Sequence, residues 1–241
     1  MNLKEQQITL NDNEEIDKLP DCDFSIIQNK KLFCYGSDAL LLVKFCQEPA
    51  NRIHDKDITV DLCTGNGIIP LLLASKCKSK IYGIELQEES FLLAERNIQL
   101  NKLDDQIKIL KGDICSISSI LPQNSASVVT VNPPYMKSGD TGVKENTSQA
   151  LNIARHEIKC KLEDVIKAAA YLLNSSGVLF MIHRPERLSE IFAQLNTFHF
   201  EPKRLQFIYP SINKTPQMVL IEAKKNARSG LIIMPPYIMY P

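Results

Sequence analysis

The chain has 241 residues, 44% apolar and 23% charged, with 28 basic and 28 acidic side chains. That composition supports one sizeable core and excludes collagen-like, coiled-coil and wholly disordered chains. The residues from Met1 to Pro20 are polar and acidic, and no apolar run reaches the ~18 residues of a membrane span, so a soluble cytoplasmic protein is expected.

Seven cysteines (Cys22, Cys34, Cys46, Cys63, Cys77, Cys115, Cys160) are scattered without a C-x-x-C pair, and four histidines (His54, His156, His183, His199) are equally dispersed. Neither zinc-ligand spacing nor a disulfide framework is legible. No metal is expected, and the cysteines read as small buried hydrophobes. The net charge is zero, yet residues 1–23 carry −5 and residues 203–241 carry +5. A basic C-terminal third suits a phosphate-bearing partner and equally an ordinary solvated surface.

In chain order, the first twenty residues read as a tail or short leading helix, and Phe24 to Tyr35 as a hairpin. Ser37 and Asp38 offer an N-cap before the apolar run Ala39–Val43, a helix start. A strand-then-helix rhythm follows. Strands are predicted over Ile58–Leu62, Lys80–Ile84, Ile107–Leu110, Val128–Val131 and Val178–His183, and helices over Ile68–Lys76, Glu88–Asn101, Leu162–Leu173 and Pro185–Leu195. The closing strands Lys203–Tyr209 and Gln217–Ala223 have only a loop between them, so the last is antiparallel. Alternating β and α implies a mostly parallel sheet with helices on both faces. The segment Met136–Lys161 is longer than a passive connection.

Asp61-Leu-Cys-Thr-Gly65-Asn66-Gly67 follows a strand and opens a helix, where glycines admit a ligand to the backbone and unpaired N–H groups face it. Pro70 replaces the third glycine of a dinucleotide fingerprint, which leaves less reason to expect a pyrophosphate, and no Gly-Lys-Ser/Thr is present, so this is not a phosphate loop of the NTPase kind. Glu85 ends the next strand, where a carboxylate can accept both ribose hydroxyls. Asp113, after the third, can accept from an adenine amino group while the backbone N–H beside it donates to the ring. Three acids at successive strand ends describe a pocket for an adenosine without a pyrophosphate.

Asn132-Pro133-Pro134-Tyr135 ends the fourth strand. Two prolines lack N–H donors and fix φ, which aims the Pro133 carbonyl, and Asn132 adds a side-chain oxygen. Two acceptors can hold both hydrogens of a planar amine, free its lone pair and stabilise the positive charge that develops. Tyr135 offers an aromatic face for stacking.

These motifs resemble those of Rossmann-like S-adenosylmethionine-dependent amino-methyltransferases. With Tyr35–Leu41, Asp61–Pro70, Ile153–Glu157, His183-Arg184-Pro185 and Glu201–Arg204, the chain from about Phe24 to Pro236 is similar to the bacterial tRNA adenine-N6 methyltransferases, whose target is the adenosine 3′ of the valine tRNA anticodon. The resemblance implies a seven-stranded, mostly parallel sheet with an antiparallel last strand. Residues 1–45 would form a tail, hairpin and leading helix, and 46–241 the methyltransferase domain. It further implies that Asp61, Gly65, Asn66 and Gly67 hold the methionine part of S-adenosylmethionine, with Ser37 and Asp38 near that end. Glu85 would take the ribose, and Asp113 with Ile114 the adenine. Asn132, Pro133, Pro134 and Tyr135 would grip the target base. Cys63 stands where many relatives carry glycine.

Lys137, Lys144, Arg155, His156, Lys203 and Arg204, with Lys214, Lys224 and Lys225, are the candidate track for tRNA. The motif serves a protein glutamine amide (N5) or a ribosomal RNA guanine (N2) equally well, although enzymes related to the guanine reaction tend to carry phenylalanine in place of Tyr135. A module that only binds the cofactor or RNA is the alternative of another class. Oligomeric state, and whether the apolar ending Leu231–Pro241 packs on its own domain or a partner, stay open.

Overall fold

The computed structural model describes residues 9–32, 34–48, 53–135 and 160–240. An antiparallel hairpin, β1 (Glu14–Lys18) and β2 (Ser25–Asn29), precedes α1 (Ser37–Cys46). Then come β3 (Ile58–Leu62), α2 (Ile68–Ala74), β4 (Lys80–Glu85), α3 (Glu88–Leu100), β5 (Ile107–Lys111), a 3₁₀ segment over Ile114–Ser119, and β6 (Ala126–Val131). The second half comprises α4 (Leu162–Leu172), β7 (Leu173–His183), a 3₁₀ turn at Pro185–Arg187, α5 (Leu188–Thr197), β8 (Phe200–Tyr209), β9 (Met218–Lys225), and the two-residue strands β10 (Ile232–Ile233) and β11 (Tyr237–Ile238).

The main strands lie in the order β8-β9-β7-β6-β3-β4-β5. The pairs β3–β4, β3–β6, β4–β5 and β6–β7 are parallel, while β9 runs antiparallel to both β7 and β8. The expected seven strands with an antiparallel last one are present. A parallel return needs a crossover of a dozen or more residues, and the short link from Tyr209 to Met218 holds no helix, so the chain reverses. β10 and β11 pair with the outer edge of β8 and extend the sheet to nine strands, so the apolar ending packs on its own domain.

Both faces of the sheet are covered, which is why its strands read as continuous apolar runs rather than alternating ones. Val60, Leu62, Val129, Val131, Leu179 and Met181 join the core built with Val165, Ile166, Ile191 and Leu195 of α4 and α5. The alternate residues Val128, Phe180 and Ile182 join Leu42, Phe45, Leu71, Leu73, Ala94 and Ile98 of α1, α2 and α3.

The N-terminal expectations need correction. Residues 14–18 are a strand, not a leading helix, and the hairpin pairs Glu14–Lys18 with Ser25–Asn29 rather than folding within Phe24–Tyr35. The acidic strand is held from outside: Arg96 of α3 donates to both carboxylate oxygens of Glu14, at 2.7 and 2.8 Å. The free edge of β2 is satisfied by two side-chain amides one helical turn apart. Asn97 exchanges hydrogen bonds with Ile27, and Asn101 with Ser25, as a neighbouring strand would. The N-cap of α1 is Gly36, with no side-chain cap bond, so Ser37 and Asp38 are its first helical residues. β7 starts five residues earlier than predicted, because α4 runs directly into it.

Candidate active site

β3 and β6 are parallel neighbours, but the chain goes from β3 to β4 on one side and from β6 to β7 on the other, and the loops beyond their C-terminal ends part to leave a crevice, the position where open α/β sheets bind ligands. A cavity of about 470 Å³ lies there. Its wall takes Cys63–Asn66 from the loop after β3, Glu85–Gln87 from the end of β4, Gly112–Ile114 from the end of β5, and Asn132–Tyr135 from the end of β6. Asp38 of α1, Cys160 and Arg184 close the far side.

The loop after β3 turns through three left-handed residues, Cys63 (φ 57°), Gly65 (φ 60°) and Gly67 (φ 82°). Cys63 adopts this conformation with a side chain, which costs about 1–2 kcal/mol. A Cβ at Gly65 would meet no atom within 4 Å, so the backbone faces open cavity. A Cβ at Gly67 would touch Ala94 of α3, so that glycine serves helix packing. The Gly65 N–H donates to Glu85 Oε2 and the Gln87 N–H to Glu85 Oε1, each at 2.8 Å. Burial raises the Glu85 carboxyl above the usual range, against the pull of these N–H groups. From beneath, the fully buried Asn97 donates through Nδ2 to the Asn66 carbonyl at 2.9 Å, linking the loop to the hairpin.

The buried side-chain atoms without a hydrogen-bond partner include Asn66 Nδ2 and Asp61 Oδ2. Asp61 Oδ1 accepts from the Thr130 hydroxyl at 2.7 Å. Burial pushes the Asp61 carboxyl up to about 7, against the lowering effect of the Thr64 and Thr130 hydroxyls. Asp113 accepts the Cys115 N–H and so caps the 3₁₀ segment while lining the cavity. An open glycine backbone, an unpartnered amide donor and a carboxylate with lone pairs to spare fit an amino-acid-bearing adenosine such as S-adenosylmethionine.

At the other end, Asn132 Nδ2 donates to Asp38 Oδ2 at 3.1 Å, and the Tyr135 hydroxyl lies 2.9 Å from the same oxygen. The Tyr135 hydroxyl also contacts Asn132 Oδ1. Loss of solvent, and next the Asp38 carboxylate, push the Tyr135 phenol well above its ordinary range. The Arg184 guanidinium stands 5.5 Å over the Tyr135 ring, and His183 packs against it edge-on, with centroids 5.4 Å apart. His183 is fully buried; its Nδ1 accepts the Arg184 N–H, and burial pushes the imidazole down to about 4, so it is neutral.

Of the residues singled out by sequence, Asp38, Gly65, Asn66, Glu85, Asp113, Ile114 and Asn132 to Tyr135 all meet at this cavity. Asp61 and Gly67 lie beneath the loop, outside the cavity wall, and Ser37 is exposed and also off it. Asp38 contacts Asn132 and Tyr135, at the end of the cavity beyond β6. Arg204 is withdrawn from any RNA track: it is 4% exposed, ion-paired with Glu222 and Glu48, and stacked 4.4 Å over Phe45. Lys225 is withdrawn as well, because its Nζ caps the end of α4 through the carbonyls of Ala170 and Leu173. Lys203 Nζ donates to the Arg228 carbonyl. Lys137, Lys144, Arg155 and His156 lie outside the described residues. Sequence reasoning missed Tyr35, Ser90, Cys160 and Arg184 on the wall. Tyr35 and Arg184 lie in stretches that carry the resemblance, and Arg184 is also the residue just past the end of β7; Ser90 and Cys160 carried no signal. Among the described residues no group of three His, Cys, Asp or Glu is placed to hold a metal ion, and no helix is long and apolar enough to cross a membrane.

Fold and site together define a Rossmann-like class I methyltransferase. Residues 44–138 match the TRM5/TYW2 methyltransferase domain. Solved structures with the same fold include a predicted O-methyltransferase from Agrobacterium tumefaciens (TM-score 0.65, 24% identity, 84% of this chain and 88% of that one). The Pyrococcus horikoshii TYW2 in complex with MeSAdo is another (TM-score 0.63, 14% identity, 90% and 73%). Within that class, relatives of this chain include tRNA1(Val) (adenine(37)-N6)-methyltransferases. That of Histophilus somni (strain 2336) is 29% identical over 216 residues, 87% of this chain and 86% of its own. That of Porphyromonas gingivalis (strain ATCC 33277) is 29% identical over 203 residues, 83% and 77%.

Proposed function

We propose that this protein transfers the methyl group of S-adenosylmethionine to the exocyclic N6 of an adenine in tRNA, adenosine 37 of valine tRNA, in the cytoplasm. The observation that carries the reading is the juxtaposition of Asn132-Pro-Pro-Tyr135 with the Gly65–Glu85 cradle on one cavity, in a chain whose relatives of that name cover more than four-fifths of it.

S-adenosylmethionine, when bound, supplies a methyl group already activated on a sulfonium. The chain's own task is binding and aim. Glu85 accepts from the ribose hydroxyls, Asp113 and the Ile114 backbone read the adenine, and Gly65 and Asn66 face the amino-acid end, with Asp61 and Gly67 shaping the loop from below. Asn132 Oδ1 and the Pro133 carbonyl accept the two hydrogens of the target amine, holding its lone pair in line for attack. As the nitrogen bonds to the methyl carbon, the carbon–sulfur bond would break with its electron pair left on sulfur as a neutral thioether; the nitrogen becomes positive, and the two acceptors stabilise that charge. The proton then leaves readily, so no strong base is required. An anticodon-loop adenine reaches the cavity by leaving its stack, and the face of Tyr135 replaces the lost contacts.

The test is transfer of a labelled methyl group from S-adenosylmethionine to unmodified bulk tRNA, followed by nucleoside mass analysis. Labelled N6-methyladenosine is expected. Label confined to protein glutamine or to ribosomal RNA guanine would overturn the reading.

A further inference from the structure

Asp38 lies 94 residues from Asn132 and 97 from Tyr135 in sequence, yet a single oxygen of its carboxylate meets both. Its other oxygen, Oδ1, accepts the Ala39 N–H at 3.0 Å, which anchors the side chain in the first turn of α1. Gly36 leaves room for this arrangement, since a Cβ there would stand 2.9 Å from Asp38 Oδ1.

The amide of Asn132 can face the cavity with either its oxygen or its NH₂ group, and only the oxygen can accept from a substrate amine. A carboxylate on Nδ2 fixes that choice. The Tyr135 hydroxyl raises a second problem, because it carries one hydrogen and touches two acceptors, Asp38 Oδ2 and Asn132 Oδ1. A hydrogen bond to a charged carboxylate is roughly twice as strong as one to a neutral amide. The hydrogen therefore goes to Asp38, and the lone pairs of Asn132 Oδ1 stay open to the target.

We infer that Asp38 is a positioning residue for methyl transfer: its carboxylate orients the Asn132 amide and holds the Tyr135 hydrogen away from the acceptor that grips the substrate amine. This rests on the reading of the cavity as an amino-methyltransferase site. It also departs from a cofactor role for Asp38, which makes the opposite prediction for cofactor affinity.

The experiment compares wild type, Asp38→Asn, Asp38→Ala and the double variant Asp38→Asn/Tyr135→Phe. Asp38→Asn is nearly isosteric, and binding of S-adenosylmethionine by calorimetry verifies that each variant is folded. Both single variants are expected to lose at least tenfold in kcat on tRNA, with the dissociation constant for S-adenosylmethionine within about twofold of wild type. The double variant is expected to recover several-fold over Asp38→Asn, because the competing hydroxyl is gone and the aromatic face is kept. A cofactor affinity that falls in step with kcat would overturn the inference, and so would a double variant no faster than Asp38→Asn. A substrate-free readout separates this idea from the proposed reaction. The Asn132 side-chain amide protons, assigned by their loss in Asn132→Ala, should be protected from exchange in wild type and exposed in Asp38→Ala. Equal exchange in both would sink the inference even if tRNA is methylated, whereas no methyl in tRNA with protection intact would sink only the reading of the substrate.

Discussion

The Gly65 amide donates to Glu85 Oε2 at 2.8 Å, which ties the glycine loop after β3 to the tip of β4. The neighbouring oxygen of the same carboxylate takes the Gln87 N–H. Glu85 is thereby aimed by two strands at once, and each oxygen keeps a lone pair for a ligand hydroxyl. One carboxylate both sets the loop's shape and presents a pair of acceptor oxygens, which in the proposed reading take the ribose hydroxyls.

Glu85→Ala removes two charge-assisted acceptors, each contributing about 1.5–3 kcal/mol. Cofactor affinity should fall by at least about 100-fold. Glu85→Gln keeps the shape and one acceptor and should lose less. Calorimetric titration with S-adenosylmethionine checks both, and an unaltered affinity for Glu85→Ala would remove it from the ribose role.

Asp61 gives the stability a definite pH dependence. Its carboxyl is pushed up to about 7 in the folded protein from an ordinary 3.8, because burial penalises the charged form. An acid raised on folding stabilises fully below its unfolded value, and that contribution is lost as pH rises through the folded one. The window is thus pH ~4 to ~7, and the ceiling is about 4 kcal/mol at 1.36 kcal/mol per pH unit. Asp61→Asn cannot titrate, so its stability relative to wild type should increase across this window and then level off. Urea unfolding at pH 5, 6, 7 and 8 reads that slope; a constant difference between the two proteins would contradict the assignment.

Arg204 is read as a structural cation. With Glu222 2% exposed beside it, Arg204→Ala removes the guanidinium that faces this buried carboxylate. The expected loss is about 3–5 kcal/mol of stability. Affinity for tRNA, measured at a temperature where the variant stays folded, should not change. A tenfold loss of tRNA affinity without loss of stability would restore Arg204 to the RNA track.

That misplacement shows where sequence stops being informative. Arg204 reads as surface charge because the residues that neutralise it are remote: Glu222 faces it through the β8–β9 register, and Glu48 lies just beyond α1. Contiguous motifs fared better. Asp61 to Gly67 and Asn132 to Tyr135 each sit at a strand end, and once the β/α alternation is read, the parallel sheet brings those ends to one edge. Asp38 was visible as part of Gly36-Ser37-Asp38, but its partners were not, since a hydrogen bond across 94 residues leaves no periodicity to read. β1 was missed for a similar reason. An acidic run has no apolar alternation, and what makes it a strand is its antiparallel pairing with β2, with Glu14 held by Arg96 on another element.

Asn132→Ala tests the chemistry most directly. The side chain reaches the cavity from the end of β6, and its Nδ2 is committed to Asp38. What remains for a substrate amine is Oδ1, an acceptor aimed where positive charge develops during transfer. Removing one such preorganised group costs about 10²–10³ in kcat. Affinity for S-adenosylmethionine should be nearly unchanged, because the cradle of Gly65, Asn66 and Glu85 lies on other strands. Asn132→Asp should also be slow: it keeps an oxygen toward the amine but sets a second carboxylate against Asp38, so both the orientation and the charge balance fail. Single-turnover methyl transfer to tRNA, paired with cofactor titration, separates the cases. Equal loss of rate and cofactor affinity in Asn132→Ala would mean that Asn132 supports the fold of the cavity and does not grip the target.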